Sequence, residues 1–337
     1  MQVLKVGKLD SDLLKNEVID RISLKRPEVL VRAGVGEDCA VIDFGEYECV
    51  LSTDPITAAV GDIGRLAIHI SCNDIASNGV EPVGILLAVM LPEGSTEDDV
   101  KTIMGQAADA AAACNVEIIG GHTEVTPAVN KPVIVSTAIG RGLRGRSASA
   151  KNIKVGDAVI MTKTAGLEGT GIIAGDFKEQ LKEILTDEEL AEAKALLGNV
   201  SVVRDGTVAG SVGTHGMHDV TEGGILGAIW EMCRIAGVGA EIHETAVAVK
   251  DVTRKICAHY GIDYMRLISS GSMIIMAGQE KKNEIIKKLA AVGVEAAEIG
   301  VITPPESGLV LVKGSGVDES RVPIDPPGPD ELYKVVK

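Results

Sequence analysis

The sequence predicts a mixed α/β protein of two domains. Its 337 residues, 45% of them hydrophobic, are enough for two ordinary cores. Strand-like and helix-like runs alternate through both halves without a repeating period. A basic, glycine-containing stretch from Arg141 to Lys154 separates halves of different texture and sets the domains at 1–150 and 151–337. A charged connecting loop explains its basic residues more simply than a phosphate-binding role.

The first half opens with an amphipathic helix, Asp10 to Ile22, whose Leu13, Leu14, Val18, Ile19 and Ile22 share a side. Strands are expected at Cys39–Phe44 and Glu48–Thr53, a helix from Asp62 to Ser77, and an apolar strand at Val83–Leu91. An alanine-rich helix runs from Thr96 to Cys114, with Ser95 as N-cap before an acidic first turn. Strands at Val116–Ile119 and Val133–Ile139 close the half. The second half begins with a strand at Ala158–Lys163, followed by helices at Asp187–Leu197 and Ser201–Ala209. A turn at Gly216–Asp219 opens a helix from Glu222 to Ile235. A strand at Ser272–Ala277, a helix at Glu280–Ala291 and strands near Glu298–Ile302 and Leu309–Val312 follow. The proline-rich Pro323–Pro329 reads as irregular.

Composition removes several function classes. The net charge of −15, from 48 acidic and 33 basic residues, repels a nucleic-acid backbone and anionic lipid. It repels a nucleotide as well, unless a divalent cation screens the phosphates. Aromatic residues make up 2%, too few for base-stacking platforms. The six cysteines (39, 49, 72, 114, 233 and 257) include no pair at the two-residue gap of zinc or redox motifs, so they read as reduced thiols of a cytoplasmic protein. The N-terminus lacks a signal-peptide layout, and the apolar run Val83–Leu91 is about half a membrane span.

Five segments carry chemistry. Gly34-Val35-Gly36-Glu37-Asp38 leads into a strand: glycines let the backbone approach a phosphate, and Asp38 is placed to hold an accompanying magnesium. A turn with a solvated acidic pair is the plainer alternative. Leu51-Ser52-Thr53-Asp54-Pro55 puts a carboxylate at a strand's C-terminal edge, where α/β ligands collect, although Asp-Pro also starts turns. In the segment Gly61–Gly79, Asn73 and Asp74 sit among apolar and small residues. A carboxylate buried there costs several kcal/mol unless a cation or hydrogen bonds compensate it. Gly120-Gly121-His122-Thr123-Glu124 reads as a glycine loop offering donors and an acid, with His122 and Glu124 the candidate catalytic groups. His218-Asp219-Val220-Thr221-Glu222-Gly223-Gly224 precedes a helix whose first amides attract anions. His215 and His218 alone make a weak case for zinc.

In this order and spacing, the five segments resemble the superfamily of aminoimidazole ribonucleotide synthetase (PurM), hydrogenase maturation protein HypE, selenophosphate synthetase (SelD) and thiamine monophosphate kinase (ThiL). The HypE branch is the most similar, through Val6-Gly7-Lys8-Leu9, Gly61-Asp62-Ile63-Gly64-Arg65-Leu66-Ala67, Asp219-Val220-Thr221-Glu222-Gly223-Gly224 and Gly261-Ile262-Asp263-Tyr264 leading to Ser270-Gly271. Gly121-His122-Thr123 is similar to the selenophosphate branch. The resemblance implies a PurM-like architecture, with an N-terminal domain that dimerises through its sheet, a C-terminal α/β domain, and ATP between them. It implies that Asp38, Asp54, Asp74 and Asp219 gather Mg2+ around the phosphates, which answers the charge problem. Gly34, Gly36, Gly120, Gly121 and Thr123 would shape the phosphate and substrate loops, with Asn73 and Gly223 also in the nucleotide set.

The implied chemistry is phosphoryl transfer to an oxygen of a small-molecule or peptidyl substrate, of amide, thioamide or carboxylate type. A hydrogenase maturation partner belongs to the same expectation. Departures qualify it. The chain ends Leu332-Tyr333-Lys334-Val335-Val336-Lys337 and its last cysteine is Cys257, which points away from the terminal carrier cysteine of HypE and toward a separate substrate. The first cysteine, Cys39, reads as a buried strand thiol rather than the reactive residue of the selenophosphate branch. Ser269-Ser270-Gly271-Ser272 stands where the thiamine kinase branch has Gly-Glu-Asp-Tyr. A small-molecule kinase and a nucleotide-binding accessory protein without turnover are the competing readings.

Overall fold

The computed structural model describes residues 4, 9, 11–34, 37–57 and 60–336. Its helices and strands, in chain order, are α1 (Ser11–Glu17), β1 (Val29–Val31), β2 (Ala40–Phe44), β3 (Tyr47–Ile56), α2 (Ile63–Ser77), β4 (Glu81–Leu91), α3 (Glu97–Cys114), β5 (Glu117–Val125) and β6 (Val133–Leu143). After a short 3-10 turn come β7 (Ala158–Thr162), α4 (Leu167–Asp176), α5 (Lys178–Leu181), α6 (Asp187–Ala195), α7 (Val203–Val212), β8 (Gly216–Asp219), α8 (Gly224–Ala236) and β9 (Gly239–His243). The chain closes with α9 (Asp251–Tyr260), β10 (Met273–Ala277), α10 (Gln279–Ala291), β11 (Ala296–Thr303), β12 (Leu309–Lys313) and β13 (Ser320–Pro323).

Two sheets result, and the fold is the mixed α/β class expected. The first has the order β1-β2-β3-β6-β4-β5, antiparallel except for the parallel β4–β5 pair. Its alternation is regular: Glu48, Val50 and Ser52 of β3 are buried beneath α2, whereas the residues between them are more exposed. α2 and α3 cover that face, packing Ile63, Ile68 and Ile75 with Val50, Ile85 and Ile134. The second sheet has the order β13-β12-β9-β11-β7-β10-β8, with helices on both faces. That double cover explains why β7 and β10 read as unbroken apolar runs, since every residue of both is buried. Among the described residues no helix is long and apolar enough to cross a membrane.

The two halves meet where α7 lies on α2. A Cβ at Gly206 would stand 2.1 Å from the Ala76 carbonyl oxygen, and one at Gly210 would stand 2.5 Å from that of Gly79, so only glycine permits this approach. The side chain of Asn73 completes the junction, donating to the Val200 carbonyl (2.8 Å) and accepting from the Val202 N–H (2.8 Å).

Local differences from expectation have physical causes. The first helix is shorter, ending at Glu17 before a 3-10 turn at Ile19–Arg21; Asp10 lies outside the described residues. Thr96, not Ser95, caps α3, because its hydroxyl and the Asp99 carboxylate form a reciprocal capping box. Gly216–Asp219 is not a turn but strand β8, paired with β10, so Asp219 sits at a strand end. The expected Gly120–Glu124 loop is strand. β5 runs on to Val125, paired in parallel with β4, and a Cβ at Gly121 would fall 1.9 Å from the Leu87 carbonyl oxygen. β3 likewise continues through Asp54-Pro55 to Ile56, overriding the turn preference of that dipeptide.

Gly206→Ala should lower stability by about 1–3 kcal/mol through overpacking at the α2–α7 contact, measured by urea unfolding. A change below about 0.5 kcal/mol would show that the helices can separate at little cost.

Candidate functional site

Between the halves lies a cleft of about 300 Å3 lined by Asp38, Asp54, Asp74, His218 and Asp219, among others. Four chain segments deliver these acids. Asp38 precedes β2, Asp54 projects from β3, Asp74 comes from α2, and Asp219 ends β8. The hydroxyl of Ser52 reaches Asp74 (2.5 Å) and Asp54 (3.4 Å). Ser77, one turn beyond Asp74, accepts from the Asp219 N–H (3.1 Å) and donates to its carboxylate (3.3 Å). One helix turn thus ties both buried acids into a single site.

Electrostatics show a site short of positive charge. Asp74 is 7% exposed and Asp219 1%. Burial, then the neighbouring charges of Asp219, Asp38 and Asp54, pushes the Asp74 carboxyl well above its ordinary range. Burial pushes Asp219 up to about 6, Asp38 adding to the shift and His218 opposing it. For His218 itself, burial opposes protonation, but a hydrogen bond to Glu231 and the charges of Asp38 and Asp219 raise it to about 10. Its Nδ1–H donates to the Asp219 carbonyl (2.6 Å), while Nε2 lies 3.4 Å from Glu231 and 3.7 Å from Asp38. A single imidazolium therefore faces three carboxyl groups, those of Asp38, Asp219 and Glu231. Oε and Oδ donors of this kind suit a hard cation such as Mg2+. The second carboxylate oxygen of Asp219 is buried with no hydrogen-bond partner, and ligand atoms of Asp38, His218 and Asp219 lie within 4.8 Å of one another. The residues fit a divalent ion.

Not every sequence candidate joins this cleft. Asn73 is fully buried and its amide is committed to the Val200–Val202 backbone, so it is a clamp rather than a nucleotide contact. Gly223 takes a left-handed turn (φ 88°) before α8, and its N–H already donates to Asp330 (2.7 Å). Gly34 is described beside Glu37, whereas Gly36 and the Val6-Gly7-Lys8 segment lie outside the described residues. Gly120, Gly121, Thr123, His122 and Glu124 are exposed on the edge strand β5. His122 and Glu124 are 3.5 Å apart, but across the sheet His122 aligns with Ala88, Val135 and Pro55, three strand spacings or about 14 Å from the strand that carries Asp54. The His215–His218 pairing fails too, because His215 binds Asp157 (2.7 Å) and is absent from the metal-capable group.

The cleft also holds a carboxyl missed from sequence. Glu168, in the first turn of α4, is buried and raised above its ordinary range by desolvation, with Ser270 hydrogen-bonded to it in opposition. The signal was present: an acid inside Gly166-Leu167-Glu168-Gly169-Thr170-Gly171-Ile172-Ile173 is as anomalous as Asp74 in its helix.

The same architecture recurs in known proteins. Family models match residues 36–142 as the N-terminal domain of AIR synthase related proteins and 154–313 as their C-terminal domain. The chain belongs to the AIR synthase related family. It is 27% identical over 338 residues to a putative hydrogenase expression/formation protein of Methanocaldococcus jannaschii, covering 96% of each chain. It is also 27% identical over 253 residues to carbamoyl dehydratase HypE of Escherichia coli, covering 74% of this chain and 73% of the relative. In three dimensions it is similar to hydrogenase maturation protein HypE in complex with ATP, with TM-score 0.71, 23% identity and 97% of each chain covered.

The raised carboxyls make metal-free stability pH-dependent. Asp219 moves from 3.8 to about 6, so the folded chain holds this proton more tightly than the unfolded one. The associated stability is complete below the unfolded value and lost as pH rises through about 6. Without metal, the melting temperature should therefore fall between about pH 4 and 7. Asp74→Asn should flatten that fall and melt higher than wild type at neutral pH by about 2 °C. A mutant that melts lower throughout would show that Asp74 is not strained.

Proposed function

We propose that the chain binds ATP with Mg2+ and activates the oxygen of an amide-, thioamide- or carboxylate-type substrate by phosphoryl transfer. The observation that carries this reading is the convergence of Asp38, Asp54, Asp74 and Asp219 on one cleft between the halves. Magnesium held there would neutralise charge on the phosphates. Asp74 and Asp219 form the buried floor, and Asp38 and Asp54 the more open wall. His218 keeps a proton among the acids and orients Asp219 through its carbonyl. α2, anchored by Asn73, holds the floor rigid, so catalysis would rest on positioning and electrostatics. The likeness to HypE in fold and sequence favours this chemistry and a hydrogenase-maturation partner for the chain.

Titration calorimetry with ATP should show binding that requires magnesium and weakens about tenfold, roughly 1.4 kcal/mol, in Asp74→Asn. Absence of binding by folded wild type would overturn the reading. Release of free phosphate with ADP would mark oxygen activation, whereas a retained phosphorylated product would mark a kinase.

The same reading includes a homodimer formed through the first sheet. Its open face carries exposed Tyr47, Leu86, Ile119 and Leu143, an apolar surface opposite the helices. Sedimentation should give twice the chain mass, shifting to monomer in Leu86→Arg; a monomeric wild type would refute the dimer.

A further inference from the structure

The acid cleft has a second end, which the four aspartates leave unused. Leu66, Ile70 and Asp74 of α2 all line the cleft, spaced four residues apart and so on one face of the helix. At about 1.5 Å per residue, Leu66 stands about 12 Å from Asp74 along the helix axis. Glu168 belongs to the Leu66 end. Arg65, the neighbour of Leu66, donates to the Leu197 carbonyl (2.8 Å). The Leu197 side chain in turn packs so closely on α4 that a Cβ at Gly171 would stand 2.5 Å from it. The first turn of α4 is thereby set beside the N-terminal end of α2. Accordingly, the largest charge effects on Glu168 come from Asp330 and Arg65 rather than from the cleft aspartates. Residues 267–270 back this turn: the Gly169 N–H donates to the Ile268 carbonyl (3.0 Å), and a Cβ at Gly169 would stand 2.4 Å from Leu267.

Glu168 is 7% exposed, and the buried Ser270 hydrogen-bonds to its carboxyl. Even so, its Oε2 is buried with no hydrogen-bond partner. An acid kept for structure alone would have both oxygens satisfied, because an unmet buried acceptor costs about 1–3 kcal/mol. Around it the cleft offers the half-buried aliphatic side chains of Leu66, Ile70 and Ile268. That wall suits a neutral group. A cation would lose its hydration against aliphatic carbon. A further carboxylate would bring no donor and would add negative charge to a site already acidic.

We infer that Glu168 sets the specificity of the cleft: its unpartnered oxygen accepts a hydrogen bond from an N–H or O–H group of a small neutral acceptor, which rests on Leu66, Ile70 and Ile268. The inference depends on the phosphoryl-transfer reading above and narrows it. Carboxylates are excluded as acceptors, and compounds bearing a free N–H or O–H are retained. Such discrimination is steep, since an analogue that lacks the donor leaves the buried oxygen unpaired. Glu168 is then a substrate contact, and the four aspartates serve the metal and nucleotide at the other end.

The test saturates the full-length chain with magnesium and a non-hydrolysable ATP analogue, then titrates acetamide, ethanol, acetate and N,N-dimethylacetamide, with binding read by ligand-detected NMR. Acetamide, ethanol or both should bind at least about tenfold more tightly than acetate and N,N-dimethylacetamide, a difference of about 1.4 kcal/mol. Which of the two binds tells an N–H donor from an O–H donor. In Glu168→Leu, a change of similar size, the preference should vanish while the analogue still binds. Equal binding of N,N-dimethylacetamide or acetate to wild type, or no binding of any probe, would overturn the inference. Loss of analogue binding in Glu168→Leu would do the same, since it would put Glu168 at the nucleotide. Failure of wild type to bind the analogue at all would instead bring down the phosphoryl-transfer reading, and this inference with it. Should the variant fail to fold, the wild-type series alone decides.

Discussion

The carboxamide of Asn73 holds the Val200–Val202 backbone by two hydrogen bonds, and the rest of the site depends on that clamp. It is buried, so no water competes for either bond, and loss of either would leave a backbone group of the second half unpaired. Asp74 follows directly in the chain, and Ser77 one helical turn after Asn73 bonds Asp219. The glycines of α7 bring that helix against the C-terminal end of α2. Helix α2 therefore serves both halves at once, as the cover of the first sheet and as the rail on which the second half is docked.

That docking creates an electrostatic conflict. Each acid alone would be tolerable near a surface, but burial raises the proton affinity of Asp74 and Asp219, and the charges of Asp38 and, for Asp74, of Asp219 and Asp54 add to it. His218 offsets part of the charge and remains protonated as a result. A group arranged only for stability would be replaced by apolar packing or an evenly matched ion pair. The imbalance is understandable if a cation completes the site, and it is the same feature that makes an acidic chain compatible with a polyphosphate ligand.

Local pattern marks Asp74, in an apolar helix, and Asp54, at the edge of an apolar strand, whereas Asp38 and Asp219 join them as a metal-binding set through the family resemblance. Glu168 broke a pattern of the same kind and was passed over. The readings that failed were those in which local preference met a pairing partner distant in the chain. Gly120-Gly121 has loop-like composition, yet β4 needs glycine there because the Leu87 carbonyl fills the side-chain position. Asn73 read as a polar neighbour of Asp74, and nothing local distinguishes a ligand contact from a backbone clamp whose acceptor is over a hundred residues away.

Sequence alone determined the mixed α/β class, the first half in outline, much of the second half without α4, β9 and α9, and the acidic character that demands a cation. These follow from periodicity, charge and burial preference, which are properties of short windows, whereas the four carboxylates came as a set from the family resemblance. Only the tertiary structure decided which residues share a volume. It joined Glu168 and His218 to the acids, set His122 and Glu124 apart on an exposed edge, and placed His69 against Cys114. Proximity across long chain separations depends on how two sheets dock through a helix, and that geometry leaves no periodic trace in the sequence.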